Sequence, residues 1–402
     1  MMERWKINLY TIWVTQVFSL MGFGLAVPFI PYYLQELGVS GGSLNFYVGL
    51  ASTLPAATMA VAAPIWGAVS DIYGRKMMLM RAMIASAFIL GFMGMANAVW
   101  IFMALRALQG IFSGTITASM AFVSANTPEN KMSFALGFMT SSNFLGYSIG
   151  PFVGGVLAEA IGYKACFIVG GVIMFIGFLL VVFLVKEDPN SYGQRLKDSD
   201  KYQKSDGEKM KLLTPFIISV LFALFVARIA RTIFTPFIAI FVQENLGTLT
   251  GAATYTGIIN GATGIATAIA AVTITRLGDR YDKFHLSIIL TLIALPISLL
   301  LIPKYALAIF VVVYSIYFFI AGSIEPILTS AASEATDYRK KGALFGILGT
   351  VNSVSMMVSP MLGAVISAKM GIHAILILMP VFTVIQLILL YVNKRKVKVY
   401  YD

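Results

Sequence analysis

Four charged residues stand inside long apolar stretches of the chain. Arg106, Arg228 and Arg231 are basic, and Glu325 is the one acid placed clearly within such a stretch. A charge near the centre of a bilayer costs on the order of 3 kcal/mol on insertion scales, so ionisable residues there are functional candidates by default. Because Arg228 and Arg231 are three positions apart, they would share one face of a helix. Guanidinium groups bind carboxylates and phosphates, and a carboxyl group can carry a proton.

The apolar stretches that hold these charges are too long and too numerous for a water-soluble fold. Of the 402 residues, 58% are hydrophobic and 12% are charged. A helix needs about 20 mainly apolar residues to cross a bilayer, whereas the strands of a membrane barrel alternate in polarity. Because the apolar runs are continuous, they predict an all-α polytopic membrane protein. Twelve transmembrane helices are predicted near 8–34, 45–69, 77–96, 100–125, 133–158, 164–185, 213–242, 252–276, 284–302, 306–333, 342–368 and 371–392.

Lysine and arginine are distributed unequally between alternate loops. One set of loops carries nearly all of them, including the basic residues of 186–211, and the other set carries only Lys164, Lys304 and Lys369. Because cytoplasmic loops are enriched in Lys and Arg, we expect both termini to be cytoplasmic in a multi-pass protein of the plasma membrane. This placement also explains the net charge of +11 without a nucleic-acid partner.

The two halves of the chain repeat each other. VPFI at 27–30 matches TPFI at 235–238 with an offset of 208, and GPFVGG at 150–155 matches SPMLGA at 359–364 with an offset of 209. Five matches in order along the chain indicate a duplication. The other three pairs are Asp71 with Asp279, Gly114 with Gly322, and Gly162 with Gly371.

The duplication predicts three parts of the chain. Two pseudo-symmetric six-helix bundles, 1–185 and 213–402, are an architecture found in transporters, with the substrate site between the repeats. The polar interval 186–212 would be a cytoplasmic linker. Its acids and bases nearly balance, so we interpret it as a solvated tether, with a regulatory or partner-binding segment as the alternative.

Three stretches carry recognisable signatures. GAVSDIYGRKMML (67–79) follows the second span, RALQG (106–110) lies in the fourth, and GYSIGPFVGG (146–155) lies in the fifth. With these motifs the chain resembles the major facilitator superfamily along essentially its whole length. The opening segments WKINLYTIW and AVPFIPYYLQELGV are similar to the twelve-helix drug:proton antiporter branch of that family. The resemblance implies the major facilitator fold, with the first, fourth, seventh and tenth helices lining a central cavity.

The resemblance also implies a function, namely proton-coupled export of amphipathic small molecules by alternating access, of the multidrug efflux type. It places all four buried charges in or near the cavity. Glu325 would carry the proton and Arg106 would assist the coupling, because a carboxyl binds a proton more readily when buried and less readily beside an arginine. The alternative is a static bridge from Glu325 to Arg228 or Arg231 that only fixes helix packing.

Polar, aromatic and methionine side chains are expected to complete the substrate cavity. An apolar pocket with a few polar anchors suits varied amphipathic ligands, although each residue alone is better explained by lipid contact or packing. The first span offers no carboxylate, so the basic cavity favours anionic, zwitterionic or neutral amphiphiles over cations. The predicted cavity residues are Arg228, Arg231, Gln16, Asn143, Asn260, Tyr314, Tyr317, Phe318 and Met356.

The signature at 67–79 predicts a cytoplasmic latch. Asp71 can face the positive N-terminal end of a neighbouring helix, for which we expect the eleventh span near Gly342, and Arg75 can pair with an acid or with loop carbonyls. Such contacts would close the halves on the inner side, whereas the alternative is ordinary charge that sets topology. The second-half copy lacks counterparts of two glycines, so no latch is expected there. The predicted latch residues are Gly67, Asp71, Gly74, Arg75 and Lys76.

The fifth-span signature predicts a close helix contact. Gly146, Gly150 and Gly154 are four positions apart and share one helix face, so another helix can approach closely. Pro151 would bend the helix there, and Gly155 extends the motif. We expect this helix to act as a pivot or an outer seal between the halves, the alternative being a packed, kinked helix without that role.

Several classes of function are not expected. No metal-binding, phosphate-loop or catalytic pattern occurs, His285 and His373 are isolated, and the single cysteine, Cys166, excludes an internal disulfide and is expected to be buried. We therefore expect no enzyme, no cofactor and no metal, and a monomer whose partners are substrate, protons and lipid. Two other functions remain open: a transporter of a defined organic anion or lipid clamped by Arg228 and Arg231, and a non-transporting receptor or scaffold.

Overall fold

The computed structural model of the protein describes residues 3–187, 214–304, 306–336 and 341–401. Within these ranges the side chains of Asp71, Glu129, Ser133, Asp279, 341–343 and 393–401 lie outside the description. The described residues form helices joined by short turns and contain no β-strand. The α-helices are α1 (Arg4–Gly24), α2 (Ile30–Glu36), α3 (Gly41–Tyr73), α4 (Arg75–Gly94), α5 (Val99–Phe112), α6 (Thr115–Asn126), α7 (Met132–Ile161), α8 (Tyr163–Leu184), α9 (Pro215–Thr232), α10 (Ile238–Leu246), α11 (Ala252–Thr273), α12 (Lys283–Leu299), α13 (Leu307–Glu334), α14 (Lys341–Met370) and α15 (His373–Tyr401).

The predicted spans are present as apolar helices. Eleven stretches among the described residues are long and apolar enough to cross a membrane, and α12, at 17 residues, is a shorter apolar helix where the ninth span is predicted. Three spans consist of two helices placed end to end, namely α1 with α2, α5 with α6, and α9 with α10. The prediction of an all-α polytopic membrane protein is confirmed.

The internal repeat is visible in the backbone. Val27–Phe29 and Thr235–Phe237, 208 positions apart, are both 3₁₀ turns that interrupt a span, and each contains a proline that cannot donate a helical hydrogen bond. Gly162 (φ +85°) and Gly371 (φ +83°), 209 positions apart, both follow the end of a long helix in a conformation that favours glycine. The duplicated sequence therefore produces duplicated helix boundaries.

Contacts between residues divide the chain into two units. The first unit contains Met1–Phe29 and Ala57–Met210. In it α4 packs on α8, and α1 packs on both α7 and α8. The core between these helices buries Leu9, Ile12 and Met83, and burial of such apolar side chains favours the packed bundle.

The second unit contains Ile30–Ala56 and Lys211–Asp402. In it α11 and α12 pack on α13, and α9 packs on α15 around a core that includes Leu224, Leu328 and Leu390. The first part of α3 thus groups with the C-terminal helices. The division of the sequence at 185 and 213 stays a prediction, and the linker after residue 187 lies outside the described residues.

Polar side chains hold the segment Ile30–Ala56 within the second unit. The Tyr32 hydroxyl is 2.7 Å from the Ala239 carbonyl oxygen, to which it donates, and 3.0 Å from Thr256 Oγ1. Gln35 and Gln243, which are 208 positions apart, exchange two side-chain hydrogen bonds of 2.8 and 3.1 Å. Because these groups are buried or half-buried, their pairing avoids the cost of unsatisfied donors and acceptors.

Candidate functional site

Three of the four predicted buried charges meet in the second unit. Arg228 and Arg231 lie on one face of α9, as their spacing predicts, and Glu325 lies on α13. Arg231 Nη2 donates to Glu325 Oε2 over 2.7 Å, and Arg228 Nη2 donates to Glu325 Oε1. The side chains of the two arginines are 16% and 17% exposed and that of Glu325 is 30% exposed. Each carboxylate oxygen therefore has its own guanidinium partner, and the cluster has a net charge of plus one.

The sequence around this cluster explains its position. Thr232 ends α9, and its hydroxyl donates to the Arg228 carbonyl over 2.8 Å and lies 2.9 Å from Ser359 Oγ on α14. On α13, Pro326 follows Glu325 directly and removes the amide that would bond to the Gly322 carbonyl. The cluster thus lies between the C-terminal end of α9 and the point in α13 where a backbone hydrogen bond is missing.

An aromatic cluster accompanies the charges along α13. The rings of Phe310 and Tyr314 stack with centroids 5.3 Å apart, and Phe318 lies 4.8 Å from Tyr314. Phe234, just after α9, meets Tyr314 edge-on at 5.9 Å. Tyr314 and Tyr317 are almost fully buried. The predicted cavity residues Tyr314, Tyr317 and Phe318 therefore belong to an aromatic wall on the helix that carries Glu325.

Two other predicted cavity residues of the second unit occupy different surroundings. Asn260 lies on α11 and donates to the Thr256 carbonyl of its own helix over 2.9 Å. Met356 lies on α14 with 43% of its surface exposed. Their contribution to a substrate site stays a prediction.

The first unit contains the predicted coupling residue Arg106 and two predicted cavity residues, Gln16 and Asn143. Arg106 is buried in α5 and donates to Gln109 Oε1 one turn later. Gln16 on α1 accepts a hydrogen bond of 2.9 Å from Ser119 Oγ. Gln16 Nε2 and Asn143 Oδ1 are buried without a hydrogen-bond partner within the described ranges. Because an unpaired buried polar atom is unfavourable by about 1–3 kcal/mol, these two atoms are candidate ligand contacts.

The glycine motif of α7 lies directly against α1. A Cβ atom built on Gly146 would lie 2.5 Å from Leu20 Cβ, and one on Gly150 would lie 2.8 Å from Gly24 Cα. A Cβ atom on Gly154 would lie 2.7 Å from Leu25 Cα. The predicted close approach is therefore present, and its partner is the first helix of the same unit.

Two further residues complete this contact. Pro151 lies inside α7 next to Gly24, and Gly155 is also buried. Cys166 of α8 is fully buried, as predicted, with its thiol 3.7 Å from the Gly154 carbonyl oxygen. The role of this helix as a pivot or seal stays a prediction.

The residues of the predicted latch surround the first turn of α4. Gly74 (φ +90°) precedes the helix, and Arg75 Nη1 donates to the Ala121 carbonyl on α6. Lys76 Nζ donates to the Val185 carbonyl over 2.7 Å. The Asp71 side chain, which is predicted to face the N-terminal end of the helix near Gly342, lies outside the described residues, so the latch itself stays a prediction.

An acid that the sequence analysis missed binds the start of α4. Glu187 Oε1 accepts from the Arg75 amide over 3.1 Å, and Oε2 accepts from the Lys76 amide over 2.7 Å. A carboxylate at this position satisfies two free amides and is favoured by the positive end of the helix. From the sequence Glu187 is expected in a solvated linker, and its position directly after the sixth span is the one sequence feature that points to this contact.

Comparison with known proteins agrees with this architecture. A family model described as the Major Facilitator Superfamily matches residues 12–218 and 220–400. The chain belongs to the Major Facilitator Superfamily. It is therefore a membrane transporter of small molecules rather than an enzyme. The fold and the family predicted from the signatures are confirmed.

Two relatives within the Major Facilitator Superfamily cover nearly the whole chain. A protein of Lactococcus lactis subsp. lactis, named as a homolog of the multi-drug resistance efflux pump PmrA, is 29% identical over 400 residues, which cover 98% of this chain and 96% of its own. The multidrug resistance protein MdtG of Yersinia enterocolitica is 31% identical over 379 residues, which cover 92% of this chain and 89% of its own.

A solved structure of the same superfamily shares the fold. A bacterial homolog of the human lysosomal transporter Spinster, in an inward-facing and occupied conformation, superposes with a TM-score of 0.80 over 98% of both chains. The sequences are 14% identical. At this identity the likeness concerns the fold alone.

Proposed function

We propose that this transporter exports amphipathic small molecules across the plasma membrane in exchange for protons, by alternating access. Its family and the multidrug efflux names of its relatives support the substrate class. The unequal distribution of Lys and Arg supports cytoplasmic termini. The proposal includes a monomer as the working unit, with Glu325 as its proton carrier.

The observation that carries the proposal is the double pairing of Glu325. Its two oxygens accept hydrogen bonds from Arg228 and Arg231, so a proton that binds the carboxyl removes the negative charge that both guanidinium groups share. Protonation would therefore weaken the link between α9 and α13. A substrate that binds one protonation state better than the other then shifts the balance between the transporter's conformations.

The freed arginines also supply a substrate contact. Guanidinium groups donate to carboxylate, phosphate and other polar acceptors, and the half-buried ring of Phe318, which packs on the buried Tyr314, offers an apolar surface nearby. A ligand with a polar or anionic head and an apolar body would satisfy both. The net positive charge of the cluster disfavours compact cations.

The experiment is uphill uptake into proteoliposomes with an acidic lumen. Three fluorescent probes are supplied outside, a cation (ethidium), an anion (anilinonaphthalene sulfonate) and a neutral dansyl amide, and a lumenal dye reports pH. We expect accumulation of at least one probe together with a rise in lumenal pH. Glu325→Gln should abolish accumulation against a gradient while leaving downhill movement measurable.

The matched control is Glu334→Gln. Glu334 lies on the same helix and pairs with Lys283, but its side chain is 55% exposed. It should keep wild-type coupling. Uphill transport by Glu325→Gln at the wild-type rate would remove Glu325 from the mechanism, and a wild-type protein that moves neither probes nor protons would instead favour a receptor or scaffold.

A second candidate function is transport of a defined organic anion or lipid held by Arg228 and Arg231. In the structure the Glu325 carboxylate neutralises part of the charge of both guanidinium groups, so an anion would bind the arginines more tightly once Glu325 takes a proton. Proton and anion would then bind together and move in the same direction. An alkaline lumen would drive anion uptake, the opposite of the exchange reaction, and Arg228→Ala would weaken carboxylate binding.

The other predicted roles remain parts of the same proposal. Arg106 would assist coupling, the 67–79 signature would close the inner side, and the glycine face of α7 would act as a pivot or outer seal. None of these roles is required for the proton test on Glu325.

A further inference from the structure

A cavity of about 300 Å³ lies inside the first unit. Its walls are the C-terminal part of α3, the first turns of α4, the end of α5 and the start of α6. The polar side chains that line it include Trp66, Ser70, Arg75, Arg81 and Ser113. The function proposed above assigns no role to the Trp66 ring or to the Arg81 guanidinium group.

Arg81 presents buried donors to this cavity. Its guanidinium carbon lies 3.6 Å from the centroid of the Trp66 ring, and this stacking fixes the plane of the guanidinium group. Arg81 Nε and Nη1 are buried and have no hydrogen-bond partner in the part of the chain that the structure describes. Nη2 makes only a long contact of 3.4 Å to the Ser113 carbonyl. A buried cation with unpaired donors is unfavourable unless an acceptor joins it.

The other groups in the wall of the cavity either have a hydrogen-bond partner within the protein or carry a charge that favours an anion. The Trp66 indole donates to the Ile111 carbonyl over 2.7 Å, so the ring is held in place independently of Arg81. Arg75 adds a second cation to the lining, and none of the described side chains that line the cavity is a carboxylate. Two cations in the walls of one small cavity attract negative charge.

The backbone at the cavity adds to this preference. Gly114 lines the cavity with φ +114° and immediately precedes α6, and no side chain caps that helix among the described residues. The first amides of a helix bind anions because they are unpaired and lie at the positive end of the helix dipole. The first turn of α6 thus adds to the preference for an anion, and the unpaired Arg81 Nε and Nη1 atoms are the main hydrogen-bond donors of the site.

We propose that this cavity is a binding site for a small carboxylate or phosphate group that accepts hydrogen bonds from Arg81 over the face of Trp66. A volume of about 300 Å³ is at the lower limit of ordinary ligand pockets, which suits one anionic head rather than a large amphiphile. The group could belong to a free anion or to the headgroup of an acidic lipid. Either would connect α3, α4 and α6 of one bundle.

The test is an anion titration of the purified, delipidated transporter in neutral detergent. Inorganic phosphate and benzoate are added at constant ionic strength, with sodium chloride as the balancing salt, and the thermal midpoint and tryptophan fluorescence are recorded. We expect a saturable rise in the midpoint of the wild type. In Arg81→Gln the apparent Kd should weaken at least tenfold, because the charge-assisted hydrogen bonds are lost.

Two variants make the result specific. Arg81→Lys keeps the charge but lacks the planar donors, so it should bind more weakly than the wild type and more tightly than Arg81→Gln. Arg276→Gln removes an exposed arginine of the second unit and should respond like the wild type.

A comparison of two lipids distinguishes a free anion from the headgroup of an acidic lipid. Water-soluble dihexanoyl phosphatidic acid is compared with dihexanoyl phosphatidylcholine in the same assay. A response to inorganic phosphate supports the site and identifies a free anion, and a response only to phosphatidic acid supports it and identifies a headgroup. No saturable response to any of these anions, or an equal response in Arg81→Gln, would overturn the proposal.

Discussion

Alanine at Gly154 is the perturbation whose effect the structure specifies most directly. The added Cβ atom would lie 2.7 Å from both Cα and the carbonyl oxygen of Leu25, and 2.9 Å from Phe29 Cε2. Carbon atoms pack best about 3.5–4.0 Å apart, so the contact is too short by about 1 Å. Two of the three neighbouring atoms are backbone, which cannot rotate away. Either α7 must move away from α1 or the chain at Leu25 must shift.

The magnitude follows from overpacking and from helix propensity. Inserting a methyl group into a closely packed interior costs about 1–3 kcal/mol. Replacing glycine by alanine within a helix gains about 1 kcal/mol where space allows. The same helix provides that second case at Gly137, where a Cβ atom meets nothing within 4 Å. We therefore expect Gly154→Ala to be destabilised by about 1 kcal/mol. Gly137→Ala should be stabilised by up to about 1 kcal/mol, so that the two variants differ by about 2 kcal/mol.

The assay is unfolding of the purified proteins in mixed detergent and denaturant, with the free energy of unfolding measured by circular dichroism. The comparison of two Gly→Ala changes in one helix removes the general effect of helix propensity. If Gly154→Ala were as stable as Gly137→Ala, the close approach of α1 and α7 would not limit packing. The reasoning about the glycine face would then be wrong.

Three further substitutions test other contacts. Glu187→Gln removes the charge at the start of α4, and we expect faster amide hydrogen exchange in the first turn of that helix and a loss of about 0.3–1 kcal/mol; unchanged exchange would argue against the cap. Tyr32→Phe leaves buried acceptors of the second unit without their donor, which should lower the free energy of unfolding by about 1–2 kcal/mol, and equal stability would show that other groups satisfy them. Thr214→Val removes the hydroxyl that accepts from the Ile217 amide in the first turn of α9, and it should lower the thermal midpoint through a loss of about 1 kcal/mol. An unchanged midpoint would contradict this expectation.

Much of the fold could be predicted from the sequence because the bilayer imposes simple rules. Continuous apolar runs indicate the spans. The ninth predicted span agrees least with its helix, because α12 is short and contains Pro296 near its end. The offset of 208 or 209 predicted equivalent helix boundaries, which the glycines at 162 and 371 confirm. A spacing of three placed Arg228 and Arg231 on one face.

The partners of these faces could not be predicted in the same way. Periodicity identifies the packing face of α7 but says nothing of which helix meets it, and the structure assigns that face to α1. Glu187 caps a helix that starts 112 positions earlier, a contact that no local pattern encodes. The stacking of Arg81 on Trp66 likewise joins separate helices. The pairing of Glu325 with both arginines exceeds the single bridge that the sequence suggested.

The buried position of Cys166 makes the natural chain suitable for spectroscopy. Its thiol is enclosed between α7 and α8 with no exposed surface, and it is the only cysteine of the 402 residues. Spin labels or fluorophores can therefore be attached to cysteines introduced at chosen surface positions without first removing a reactive background thiol. Pairs of such labels would give distance distributions as pH and substrate are varied, so that the transport cycle can be followed in a protein whose packing is otherwise untouched.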